Sequence, residues 1–153
     1  DAAATASEAG PDLTSVRDDH TATLLVNGRV LIAGGQDASG RSLDHAEILD
    51  GGVFRRIADT MASRRADHQA VRLPSGQVLL FGGEDDPGNG FDVVLDTVEY
   101  FEPGTEQFVS MPPLAVPRDD HRVTRLLDGR ILVTGGEDAD SESIDAVEVY
   151  DPR

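Results

Sequence analysis

The sequence contains no cysteine. That excludes disulfides, thiolate metal sites and cysteine nucleophiles, and it leaves no cysteine-based clue to the redox compartment. Lysine is absent too. All 13 basic residues are arginine, they face 29 acidic residues, and the formal net charge is −16. A surface this acidic repels nucleic acid and anionic lipid, because both are bound by Lys and Arg that displace counterions. It suits cations, basic partners or high salt; a high-GC genome, which favours Asp, Ala, Gly and Arg over Lys, gives the same bias. There is no tryptophan, and Tyr100 and Tyr150 are the only tyrosines. No stretch approaches the ~18 apolar residues of a membrane-spanning helix, so no membrane span is expected. Helical periodicity is also missing.

The 153 residues suffice for one domain with a core of its own. The chain opens at Asp1 with the small, polar "DAAATASEAGPD". That opening reads as the tail of a processed, exported protein or as the edge of a trimmed piece, and the expected location is extracellular or at the cell surface.

What the sequence does contain is a repeat. "RDDH" at 17–20 returns as "RADH" at 65–68 and "RDDH" at 118–121. Glycine pairs keep step at Gly34-Gly35, Gly82-Gly83 and Gly135-Gly136, and so do the turns "NG" at 27–28, "SG" at 75–76 and "DG" at 128–129. Glu47, Glu99 and Glu148 follow in the same order. Gly83 to Glu99 is 16 residues, against 12 in the other two units, and a Gly/Pro/Asp loop around "DDPGNGFDVV" accounts for the insertion. Each unit reads as strands. "HTATLLV" and "RVLIAGG" are apolar, β-rich runs joined by a two-residue hairpin turn. "HAEILD" is a third strand, and a shorter fourth holds Phe54 or Phe108. Four antiparallel strands recurring at roughly 50 residues are the mark of propeller blades.

The pattern R-x-x-H…L-x-x-G-x-V/I-L…GG…E…Y-D-P…F resembles the kelch repeat, most of all the bacterial form, over about residues 13–153. The resemblance implies an all-β chain of three four-stranded kelch-type β-propeller blades, a half or partial propeller. Residues 17–64, 65–117 and 118–153 are the three repeats, the last without its outer strand, and residues 1–16 are an N-terminal segment that could supply an outer strand to close a blade. Phe54 and Phe108 stand where the family usually has Trp, and "ILDGG" makes the first unit's turn into its fourth strand different. Closed propellers have at least four blades. Three therefore imply a homodimer that completes a ring, a piece of a longer propeller chain, or an open arc. The copper oxidases among kelch-like propellers need a Tyr–Cys crosslink, which this chain cannot form.

Three copies of Arg-x-x-His at unit spacing do not describe one active site. Arg17, Arg65 and Arg118, with His20, His68 and His121, are expected to be structural, each Arg pairing with a carboxylate such as Glu47, Glu99 or Glu148 and each His hydrogen-bonding across the top of its unit. The glycine pairs are expected to permit close strand packing. Asp19, Asp67 and Asp120 would form an arc at the mouth of a central channel, where like charges invite a cation or raise pKa values; the alternative is that each caps a turn or bonds its neighbouring Arg. The loops after each glycine pair and before each Arg should share one acidic face, which would include Asp85, Asp86, Asp138 and Asp140. "DADSESID" alternates oxygen ligands at Asp138, Asp140 and Glu142, a weak Ca²⁺ candidate that lacks the glycine and distant Glu of a calcium loop, with Asp/Ser turn chemistry as the alternative. No other cofactor is expected. His45, outside the repeat, is placed at a surface strand position.

The expected function is a non-enzymatic binding module whose acidic face takes protein, glycan or cation. Two other readings stay open. One is a hydrolase, lyase or isomerase at the channel mouth using Asp19, His20, Asp67, His68, Asp120 and His121, although "GxSxG" is absent. The other is a structural component of a surface assembly.

Overall fold

The computed structural model describes residues 9–89 and 91–153. Among these the chain is all-β and has no helix. The first sheet has β1 (Thr21–Leu24), β2 (Val30–Ala33), β3 (His45–Asp50) and β4 (Val53–Thr60), hydrogen-bonded in that order. Next come β5 (Gln69–Arg72) and β6 (Val78–Phe81), a small hairpin of β7 (Glu84–Asp85) with β8 (Val93–Val94), then β9 (Val98–Glu102) and β10 (Gln107–Met111). The second sheet runs β5-β6-β9-β10, and the hairpin occupies the inserted loop. The third has only β11 (Arg122–Arg125), β12 (Ile131–Thr134) and β13 (Val147–Tyr150). All pairings are antiparallel. Residues 9–16 form no strand; the rest of the outer strand expected over 1–16 falls on residues 1–8, outside the described residues. No helix among the described residues is long and apolar enough to cross a membrane.

The first hairpin of each sheet turns over three residues, not two. Gly28, Gly76 and Gly129 have φ of 83°, 101° and 90°, while the Asn, Ser and Asp before them do not have positive φ. Each glycine N–H donates to the leucine carbonyl three residues back, at 3.0 to 3.1 Å. That is a type I turn closed by a glycine bulge; a two-residue turn of the mirror-image type needs two successive positive φ values. Gly51 and Gly52 supply such a pair, at 60° and 86°. They set Asp50 opposite Val53 and launch β4, whose eight residues make it the longest strand, where a short one was expected.

The second sheet is packed on both faces. Val78 and Leu80 of β6 join one apolar cluster with Leu31, Ile48, Ile57 and Met61 of the first unit. Leu79 and Phe81 join another with Ile131, Val133 and Tyr150 of the third. A strand covered on both sides reads as an unbroken apolar run, which is why "VLLF" does not alternate. Phe81 meets Tyr150 edge-on at 5.2 Å, and Phe101 meets Phe108 at 5.1 Å. Along the inner edge, β5 lies between β1 and β11. The sheets do not close on themselves, so among the described residues the first and third sheets each keep one face unpartnered.

Candidate functional site

A repeated staple positions the site. Arg17, Arg65 and Arg118 each bond the Glu of their own sheet's third strand: Nη2 meets Oε1 at 2.6 Å in Arg17–Glu47, 2.6 Å in Arg65–Glu99 and 2.8 Å in Arg118–Glu148. Each Nη1 donates to the carbonyl of the first glycine of the pair, Gly34, Gly82 or Gly135, at 2.6 to 2.8 Å. The Glu carboxylates also accept backbone N–H groups from the incoming segment, Thr14 and Ser15 on Glu47, Ala62 on Glu99, Ala115 and Val116 on Glu148. Arg65 and Arg118 are completely buried. Burial would expel a lone guanidinium charge, and the shared carboxylate with its charge-assisted bonds is what holds it there. Desolvation, opposed by Glu99, lowers the Arg65 pKa. Glu47 is pushed up by desolvation, yet ends lower than usual because Thr14 and Arg17 bond its charged form.

The staple sets the backbone that follows it. Asp19, Asp67 and Asp120 all adopt left-handed φ, 49°, 50° and 47°. Asp tolerates that region better than most residues. In this conformation the Asp120 N–H donates to the Asp67 carbonyl and the Asp67 N–H to the Asp19 carbonyl, both at 3.1 Å. The arc thus advances one unit per hydrogen bond, and its side chains line an open cleft of about 400 Å³ along the inner strands, with His20, His68 and Arg122. None of these three aspartates shows a side-chain bond to the preceding Arg among the described residues.

A second acidic row lies beside the arc. Bridges join the segment before each His to the segment after each glycine pair: Asp18 with Gln36, Ala66 with Glu84, and Asp119 with Glu137. The two sets of loops therefore share one face. Desolvation, then the charges of Asp19 and Asp120, raises Asp67 to about 6. Desolvation and Asp67 raise Glu84 to about 7, and desolvation, Asp120 and Glu137 raise Asp119 to about 6. Burial first, and the surrounding acids second, thus raise three half-buried carboxylates toward neutrality.

The other sequence-selected acids are placed differently. Asp85 is paired with Arg64 at 2.9 Å. Asp138 Oδ1 accepts the N–H groups of Asp140 and Glu142, at 2.9 and 3.1 Å, and the Asp37 carboxylate does the same for Ser39 and Arg41. The carboxylate thus closes its own turn, in the manner of an Asx turn. Among the described residues, no group of three His, Asp or Glu side chains is placed to hold a metal ion.

The histidines depart from expectation. Among the described residues only His68 bonds across units, its Nε2 sharing a hydrogen bond with Thr21 Oγ1 at 2.9 Å. His121, whose counterpart neighbour is Gln69, leaves both ring nitrogens buried without a partner. Desolvation, then the nearby arginines, lowers His121 to about 4 and takes His68 well below its ordinary value. His45 is buried, not at the surface: the segment before Arg17 covers it, and Nε2 lies 3.3 Å from Ser15 Oγ. The Thr21–His68 pair was not singled out by sequence reasoning, because Thr21 belongs to a neighbouring unit.

Neither the known protein-family models nor the curated proteins contain a match to this chain.

Proposed function

We propose that the three sheets are blades of a kelch-type β-propeller and that the chain is a non-enzymatic binding module. Its acidic loop face takes a cationic group, either a basic segment of a protein partner or a cation. The observation that carries this reading is the row of half-buried carboxylates Asp67, Glu84 and Asp119 beside the Asp19–Asp67–Asp120 arc, each raised by burial and by neighbouring acids. An approaching positive charge gains from each of them and relieves their repulsion, so binding drives proton release. A glycan could engage the same carboxylates only through hydroxyl donors, without that relief.

The test is calorimetric titration with an oligoarginine peptide at moderate salt, against wild type and the triple substitution Asp67→Asn, Glu84→Gln, Asp119→Asn. The expected loss is about tenfold or more in affinity, about 1.4 kcal/mol, with the companion set Asp85→Asn, Asp86→Asn, Asp138→Asn, Asp140→Asn losing less. Equal binding by all variants overturns the reading.

The second reading, catalysis in the cleft, draws on Thr21 and His68, a hydroxyl and an imidazole at bonding distance. A nucleophile–base pair needs a third group to orient the base and a base pKa near the working pH. His68 Nδ1 is buried without a partner, and the His68 pKa is far below neutrality. The binding reading is therefore the stronger one. Loss of a hydrolytic activity in Asp67→Asn with the fold intact would reverse that order.

A further inference from the structure

The contact between neighbouring sheets is made twice in this chain, and its two halves are left exposed at opposite ends. In each contact the second glycine of a pair donates its N–H to the arginine carbonyl of the following unit: Gly35 to Arg65 and Gly83 to Arg118, both at 2.9 Å. The first glycine leaves room for that same carbonyl and for the following histidine. A Cβ on Gly34 would overlap the Arg65 carbonyl oxygen and crowd His68, and one on Gly82 would overlap the Arg118 carbonyl oxygen and crowd His121. Gly135 has the same backbone, φ 62° against 61° and 53°, but the nearest atom to an added Cβ is the Ile144 carbonyl oxygen, 3.8 Å away. The Gly136 N–H has no partner among the described residues. The apolar positions tell the same story. Val147 and Val149 of β13 are 61% and 48% exposed, whereas the corresponding Ala46 and Ile48 of β3 are fully covered by the next sheet. At the other end of the chain, the first unit presents the complementary half: the Arg17 carbonyl, His20, and an Asp19 N–H without a backbone partner among the described residues.

We propose that the open face of the third sheet docks the first sheet of a second copy of this chain, head to tail, by repeating the contact that joins its own sheets. The occupant follows from this complementarity: the Gly136 N–H would meet the partner copy's Arg17 carbonyl, its Asp19 N–H would extend the ladder at Asp120, and Val147 and Val149 would be covered as Ala46 and Ile48 are. A head-to-tail contact closes only when each copy uses both ends, so a pair of chains makes the contact twice. The pairing deepens the propeller reading above and is independent of what the acidic face binds. Both copies are strongly acidic, so salt that screens their repulsion favours the pair.

The test is native mass by light scattering over a dilution series in high salt, for wild type, Gly135→Asn and Val147→Arg. Asn is tolerated at left-handed φ, and neither position is covered within the single chain, so both variants keep the fold; unchanged circular dichroism checks this. Wild type near twice 16.3 kDa, with both variants near one chain mass, is the expected result. Wild type at one chain mass at every concentration overturns the second copy as occupant while leaving the acidic-face titration unaffected. A wild-type pair that both variants retain overturns the choice of face.

Discussion

Substituting Glu99→Gln isolates what the buried staple contributes. The side chain keeps its shape and one carbonyl oxygen, so packing is conserved. The Arg65 guanidinium, at 0% side-chain exposure against 3% for Glu99, then keeps its charge without a counter-charge. The amide also places a donor where the carboxylate accepted the Ala62 N–H at 2.9 Å. Removing one partner of a buried pair strands the other, at a cost of about 3–5 kcal/mol. In a domain of this size about 1 kcal/mol moves Tm by roughly 2–4 °C, so the expected fall is on the order of 10 °C. Glu106→Gln is the control. Glu106 bonds Arg29 and Arg55 at the surface, with Arg55 46% exposed, and such pairs contribute about 0–1 kcal/mol. Glu148→Gln should fall between the two, since its carboxylate is 19% exposed and water can partly replace it. Thermal and urea denaturation by circular dichroism give the ranking. A Glu99 variant no less stable than the Glu106 variant would refute the argument that the staple is held by a buried charge pair.

Three further outcomes follow from the same geometry. Asp67→Asn should stabilise the protein by about 1 kcal/mol at pH 8, discounting for solvent screening, and change little at pH 4; the folded Asp67 pKa is raised, so stability is lost as pH rises from the ordinary carboxylate value of about 4 to about 6, and the loss is complete above that. Urea denaturation at the two pH values checks it, and equal gains at both would contradict it. The buried histidines act in the opposite direction: their folded pKa values are lowered, so stability is lost as pH falls below about 6.5, and His68→Gln should flatten that limb of the stability–pH profile. Gly34→Ala and Gly135→Ala share the backbone strain of left-handed φ, about 1–2 kcal/mol, but only the first meets a backbone oxygen; Gly34→Ala should be the more destabilising by a further ~1–3 kcal/mol, measured by thermal melts at concentrations where any pair is dissociated.

The repeat made much of the architecture legible. Arg-x-x-His, the glycine pairs and the third-strand Glu recur in the same order because one hydrogen-bonded unit is built three times, and apolar, β-rich runs between turns gave the strands. The details that escaped lie where local rules are decided by neighbours. The hairpin turns "NG", "SG" and "DG" look two residues long, yet only their glycines take positive φ, which makes the loops three-residue bulges. β4 outgrew expectation because Gly51-Gly52 forms a tight turn that starts pairing at Val53. His45 was placed at the surface because nothing in its strand reveals that residues before Arg17 fold over it. The acidic face was readable as a composition of loops. Which of these carboxylates are half-buried was not, since burial is the first cause of their raised values and, for Asp67, Asp19 and Asp120 come close only when separate units pack side by side.

The acidic-face account is tested most directly by carbon-detected NMR titration of the Asp67, Glu84 and Asp119 carboxyl groups, with and without oligoarginine peptide. The account predicts free-protein midpoints of about 6, 7 and 6, all falling when the peptide is bound. Midpoints near the ordinary carboxylate value of about 4, unmoved by the peptide, would contradict it.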